Sequence, residues 1–244
     1  SSETTLVLID ITRIKKLENI RKDFIANLSH ELRTPVAVIR ANSESLVDGA
    51  LDDKEIAQKF SNAILKNSEK LSYLLEDILN LSTIESGEYN LELSENGVLD
   101  IFKNSINSVL SNHPDVKITN NISSDVEVIC DIKALSQVID NLIENSVKYG
   151  ISKECNEIFI NMKDQGSKVR FEIEDRGQGI PADQRERVFE RFFRIQNNNT
   201  SLKEGTGLGL SIVKNLVNLM GGSVGNEKAY PEGTIFWFTL NKKN

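Results

Sequence analysis

Asn27-Leu28-Ser29-His30-Glu31-Leu32-Arg33-Thr34-Pro35 is the stretch around which the rest of the chain is organised. Phe24, Ile25, Leu28, Leu32, Val36 and Ile39 recur at helical spacing, which predicts a helix whose apolar stripe leaves His30 on the polar side. An imidazole is a workable nucleophile at cellular pH, and Glu31 beside it could take or orient the ring proton. A His-Glu pair is equally what a solvated helix face carries, since a base contributes only with a substrate in reach.

Outward from this stretch, Ile14, Leu17, Phe24 and Leu28 follow a near-heptad stripe, interrupted by Arg21. Pro35 removes one backbone donor and should kink the helix near His30. The helical pattern resumes through Leu46. Asp48-Gly49-Ala50-Leu51-Asp52-Asp53 then supplies turn chemistry, with Asp52 or Asp53 as the cap of a second helix. Its apolar face is Ile56, Phe60, Ile64, Leu71, Leu74, Leu75, Ile78, Leu79 and Leu81, and Ser86-Gly87 ends it. Two long helices on a short loop cannot bury two wide apolar faces alone. Dimerisation into a four-helix bundle would do so, as would packing onto the C-terminal part.

Beyond the hairpin the pattern changes to short strands and helices. Leu91 to Leu93 is expected as a strand, Leu99 to Leu110 as a helix, and Val116 to Ile122 and Val126 to Ile129 as two strands around an Asn-Ser-Asp turn. Asp131 to Tyr149 is a helix with Leu135, Val138, Ile139, Leu142 and Ile143 inward. Ile158 to Met162 and Val169 to Ile173 alternate as strands across a Gln165-Gly166 turn. Val213 to Met220 is a helix stopped by Gly221-Gly222. Val224 and Thr234 to Leu240 close the sheet, with Ile235, Trp237 and Thr239 on one face and Phe236 and Phe238 on the other. The expected architecture is a helical hairpin followed by an α/β sandwich with helices on one side of one sheet.

With 244 residues, 39% hydrophobic and 27% charged, the chain has ordinary globular composition and room for two modest domains. A net charge of -7 excludes a nucleic-acid binder that works through a broad basic surface. No run reaches the roughly 18 to 20 apolar residues of a membrane span, and the N-terminus lacks a basic-then-apolar signal pattern. Cys130 and Cys155 have no metal-ligand or redox spacing, which fits a reducing cytosol.

Phosphate and metal chemistry concentrates in the second half. Asn141 and Asn145 are four apart on one helix face, with Lys148 and Tyr149 one turn on. Amide oxygens suit Mg²⁺, and Lys or Tyr can reach phosphate oxygens, although a polar helix face has the same pattern. Asp175-Arg176-Gly177-Gln178-Gly179-Ile180 follows a strand, where a carboxylate can accept from an exocyclic amine and glycines allow close backbone approach. Gly205-Thr206-Gly207-Leu208-Gly209-Leu210 opens a helix, whose free N–H groups and dipole can face phosphate. Between them, Arg191 and Arg194 are either γ-phosphate contacts or a solvated basic pair, and the polar run from Gln196 to Glu204 is placed to act as a lid.

Ser29 to Pro35 resembles, residue for residue, the phospho-acceptor box of sensor histidine kinases. Asn141 to Tyr149 resembles that family's N box, Asp175 to Ile180 its first glycine box, Phe189 to Arg194 its F box and Gly205 to Leu210 its second glycine box. The order of five motifs is far more specific than any one. The resemblance implies an ATP-binding domain of Bergerat type behind a dimeric four-helix bundle, with divisions at 14–88 for dimerisation and phosphotransfer and 89–244 for catalysis. Residues 1–13 resemble the end of a PAS-like sensor domain or linker, because Thr4 to Ile11 reads as an unpartnered strand. It further implies that ATP with Mg²⁺ phosphorylates His30 with help from Glu31. Asn145 is then the direct metal ligand, with Asn141, Lys148 and Tyr149 around the phosphates and Asp175 selecting adenine. Gly177, Gly179 and Ile180, and the residues from Gly205 to Leu210, would line the nucleotide.

The implied partners are a homodimeric copy and the receiver domain of a response regulator, whose aspartate accepts the phosphoryl group. Thr34, one turn beyond His30, is placed to orient a water for dephosphorylating that partner. A cytoplasmic fragment of a membrane-anchored receptor is expected, itself without membrane contact. Two other classes share parts of this pattern: ATPases that drive conformational change, which have no use for the acceptor box, and scaffolds with degenerate motifs, which would not keep the chemical residues of all five.

Overall fold

A computed structural model of the chain describes residues 10–151, 155–195 and 206–243. It comprises two compact units, Ser1–Leu75 and Glu76–Asn244. Most of the expected opening strand, the polar run from Gln196 to Glu204 and Gly205 lie outside the described residues, as do the side chains of Ile14, Leu17 and Arg21 in the heptad stripe.

In the first unit, α1 (Thr12–Val47) runs through Pro35, which is buried and leaves one rung of the ladder without a donor. Gly49, at φ 117°, begins a short 3-10 turn at Ala50–Asp52. Of the two expected caps, Asp53 acts. Its Oδ1 accepts from the N–H groups of Glu55 at 3.0 Å and Ile56 at 3.1 Å. The second helix, α2 (Lys54–Ser86), crosses from the first unit into the second. Gly87 ends it at φ 74°, while Glu88 N–H returns to Thr83 O at 3.1 Å. Leu74, Leu81 and Ile84 are buried, whereas Ile25, Val36, Ile56, Leu65, Leu75 and Leu79 are exposed. The hairpin therefore leaves part of its apolar surface uncovered in a single chain.

The second unit continues with β1 (Ser94–Gly97), α3 (Leu99–Asn112), β2 (Lys117–Asn120), β3 (Glu127–Cys130), α4 (Ile132–Gly150), β4 (Glu157–Asp164) and β5 (Lys168–Glu174). It ends with α5 (Gly209–Leu219), β6 (Ser223–Lys228) and β7 (Thr234–Asn241). Five strands form a sheet in the order β2-β4-β5-β7-β6, and β1 pairs with β3 in a separate two-stranded sheet. The sandwich expected from the sequence is the fold adopted.

Two local expectations are corrected. Residues 91–93 are irregular, because the Glu92 N–H donates to Asp131 Oδ2 at 2.9 Å; pairing starts three residues later, at Ser94 opposite Cys130. Nor do β2 and β3 form a hairpin: β2 runs parallel to β4, with Asn121 N–H continuing the contact to Ile160 O at 2.9 Å, while β3 belongs to the other sheet.

The core lies between the five-stranded sheet and the helices. Leu135, Val138, Ile139, Leu142 and Ile143 on α4, Ile212, Val213, Leu216 and Val217 on α5, and Phe102 on α3 are all fully buried. From the sheet, Phe171 stands 5.4 Å from Phe102 and 5.1 Å from Phe238 between ring centroids. Burying each such side chain contributes about 1.5–3 kcal/mol. α4 packs against both α3 and α5, so its polar face is held at a fixed rotation above the strand ends.

Candidate active site

Asp131 sets the start of α4. Its Oδ1 accepts from Ala134 N–H at 2.9 Å while Oδ2 takes the Glu92 N–H, so one carboxylate caps the helix and anchors the preceding loop. From that start, helical spacing puts Asn141, Asn145 and Lys148 on one face. Asn141 and Asn145 are half-buried, and Lys148 pairs with Glu144 at 3.0 Å. The Asn141 amide donates to Gln137 O at 2.9 Å, which leaves its Oδ1 directed at the start of α5.

That juxtaposition requires Gly209. A Cβ there would stand 2.5 Å from Asn141 Oδ1. At the other end of α4, a Cβ on Gly150 would run into the side chain of Asp175, so the helix end and the strand end meet only through glycine. The polar face of α4 is thus bounded by Asp175 on one side and the first turn of α5 on the other.

Asp175 follows β5 and is 3% exposed. Its Oδ1 accepts from Gly177 N–H at 2.9 Å and Thr234 N–H at 3.2 Å. Burial pushes its carboxyl up; the two backbone donors and Arg176 pull it down, Glu174 adds to the rise, and the net shift is upward. With both backbone donors on one oxygen, Oδ2 can accept from a ligand amine. Gly177, Gly179 and Ile180 follow it, all half-buried.

The F-box segment and the second glycine segment are tied together. Phe192 has φ 58°, and its N–H donates to Gly207 O at 2.8 Å. Thr206 Oγ1 accepts the N–H of Leu208 at 3.2 Å, and Leu208, fully buried, precedes α5. The α5 N-terminus therefore points its dipole and free N–H groups toward the Asn141 side. Gly207 and Leu210 are half-buried. Arg191 is half-buried, with its guanidinium pKa lowered by burial; Arg194 and Tyr149 are exposed. Among the described residues no cluster of three His, Cys, Asp or Glu side chains could hold a metal, so a cation here would depend on amide oxygens and on ligand phosphates.

Three participants were not among the expected residues. Thr234 contributes only backbone groups, its N–H donating to Asp175 Oδ1 and its carbonyl accepting the Asp175 N–H at 2.9 Å, and these carry no side-chain signal. Gly233 lets that strand pass close to the backbone of Asp175, and the Pro231-Glu232-Gly233 turn was its one trace. Asp77, near the end of α2 and within the second unit, accepts the Thr206 hydroxyl at 2.9 Å through Oδ2. In the first unit, His30 is exposed on α1, Glu31 is half-buried, and the Thr34 hydroxyl donates to His30 O at 3.4 Å.

The model of the "Histidine kinase-, DNA gyrase B-, and HSP90-like ATPase" family matches residues 130–244, and that of the "His Kinase A (phospho-acceptor) domain" matches residues 20–87. Sensor histidine kinase WalK of Bacillus subtilis (strain 168) is 32% identical over 239 residues, which are 97% of this chain and 39% of that protein. The structure of Acinetobacter baumannii histidine kinase AdeS matches with a TM-score of 0.70 at 23% identity, over 88% of this chain and 98% of that one. Histidine kinase ThkA, solved in complex with response regulator protein TrrA, matches with a TM-score of 0.68 at 22% identity, over 97% of this chain and 68% of that one. At such identities the two structures speak for the fold. The chain spans between 39% and 57% of the length of the curated relatives it matches.

Proposed function

The chain belongs to the sensor histidine kinases, and from that membership we propose that it autophosphorylates His30 from ATP and passes the phosphoryl group to an aspartate in the receiver domain of a response regulator. Asp175 supports this most directly: a buried carboxylate with one oxygen fixed by two backbone donors and the other open is suited to an adenine amine. Gly209 and Gly150 let the polar face of α4, which carries Asn141, Asn145 and Lys148, lie close to the start of α5 and to Asp175, so that phosphate-binding and base-binding groups border one region.

A His30 ring nitrogen forms the new N–P bond as the bond from the γ-phosphorus to the bridging oxygen breaks and ADP leaves. Glu31 accepts the ring proton. Arg191 and Arg194 offset charge on the transferred group, and the α5 N-terminus offsets charge on the phosphates that remain. Mg²⁺, when bound, screens the phosphates, and Asn145 would hold it with an amide oxygen. The receiver aspartate then takes the phosphoryl group and His30 recovers a proton. That ThkA crystallised with a response regulator is in keeping with such a partner. Thr34 orients a water for the reverse task of clearing the phosphorylated partner, using a lone pair that its bond to His30 O leaves open.

Exposed Ile25, Val36, Leu65, Leu75 and Leu79 would be covered by a second copy, giving the four-helix bundle. No helix among the described residues is long and apolar enough to cross a membrane. A cytoplasmic place for this part of a receptor follows from its need for ATP.

Incubation with γ-labelled ATP and Mg²⁺ tests the proposal. Label that is alkali-stable, acid-labile and lost in His30→Gln is expected. Nucleotide turnover with no protein-bound label would transfer the chain to the ATPases that use hydrolysis to drive conformational change.

A further inference from the structure

Asp77 lies outside all five motifs, yet it meets one of them. Its Oδ2 accepts the Thr206 hydroxyl at 2.9 Å, and that same hydroxyl oxygen accepts the Leu208 N–H at 3.2 Å. Two polar groups of the second glycine segment are therefore committed to bonds within the protein. Burial pushes the Asp77 carboxyl up; the Thr206 hydroxyl and the charge of Lys148 pull it down, and Glu76 and Glu144 push it up again. Lys148 is itself paired with Glu144. A half-buried carboxylate thus sits among the groups that a triphosphate would use, with the same sign of charge as the phosphates.

We propose that Asp77 is a latch on the nucleotide site: its carboxylate holds Thr206 and the start of α5, and ATP must displace it to bind. The latch rests on the ATP site proposed above. It makes the end of α2 a competitor for that site, so the protein's affinity for ATP is set partly by a residue of the hairpin. Adenosine, which lacks phosphates, is indifferent to the latch.

Isothermal titration of the whole chain with Mg-ATP and, separately, with adenosine tests this in wild type, Asp77→Asn and Asp77→Ala. Removing a like charge from a partly buried site is expected to tighten Mg-ATP about threefold to tenfold, with adenosine unchanged. Asp77→Asn keeps the shape and an acceptor, so it carries the test if Asp77→Ala melts early. Wild-type binding with variants that bind Mg-ATP equally or more weakly overturns the latch and leaves the ATP site standing. Tightening of adenosine as much as Mg-ATP also overturns it, since the effect would then be a general loosening. Wild type that binds neither ligand overturns the ATP site itself, and the latch falls with it.

Discussion

Replacing Asp175 with Asn probes the proposed base-reading site with little disturbance to its surroundings. The Asn carbonyl can keep both bonds now made by Oδ1, from Gly177 N–H at 2.9 Å and Thr234 N–H at 3.2 Å, which forces the amide nitrogen into the place of Oδ2. A donor then faces the adenine amine, which is also a donor. The loss is one hydrogen bond to a charged acceptor, about 1.5–3 kcal/mol, and so a Kd for ATP weaker by about 10- to 150-fold. Guanine presents a carbonyl oxygen at the corresponding ring position. GTP should therefore lose much less than ATP, and the preference between the two should narrow or invert.

The fold should not suffer from this change. The folded-state pKa of Asp175 lies above its ordinary 3.8, with burial as the first cause, so its contribution to stability is complete below that value and is lost as pH rises through the raised one. A neutral amide removes that loss, and Asp175→Asn should melt at neutral pH no lower than wild type. ATP affinity has the opposite sign, because the amine prefers the ionised carboxylate. Wild-type affinity should fall on acidification before the ordinary carboxylate range is reached, and the variant should lack that step. Titration calorimetry with Mg-ATP and Mg-GTP across pH measures all of this. ATP binding within twofold of wild type, or equal losses for ATP and GTP, would refute the assignment.

Two further outcomes are expected. Thr34→Ala should slow dephosphorylation of a phosphorylated receiver domain by about a hundredfold, the scale of a lost water-orienting group, while label transferred from ATP to His30 falls far less; equal losses in both reactions would assign Thr34 to the fold of α1. Asp131→Ala removes the α4 cap and the anchor of Glu92 together, and urea unfolding should record about 1–3 kcal/mol of lost stability.

The parts of the site that could be read in advance are those in which chemistry and periodicity fall on one element. Asn141, Asn145 and Lys148 needed only the helical repeat, and Asp175 with its glycines needed only the end of a strand. The same holds for α4, where five inward apolar residues and the Asp131 cap made the helix plain. What escaped depended on partners distant in the chain. Ser94–Gly97 has no β-branched or aromatic residue, and it is a strand because β3 offers it an edge. β2 has ordinary strand composition, but composition does not say that its neighbour is a parallel β4 rather than the next strand along. Thr234 acts through a peptide N–H that any residue but proline could supply.

Asp77 shows most clearly where local reading stops. It lies on a helix whose repeat explains the apolar neighbours Leu74, Ile78 and Leu81, and a polar position between them reads as solvated surface. Its meaning comes from Thr206, 129 residues further on, whose hydroxyl would be free for phosphate without it. The motifs name the groups proposed to bind a nucleotide, whereas affinity depends also on what else in the protein those groups can bond. Under the proposal above, a competing carboxylate on α2 ties nucleotide affinity within the second unit to the state of one hydroxyl. A signal that moves the end of α2 would then change ATP affinity without touching any motif residue, and by reciprocity ATP would bias the position of α2 by the same factor.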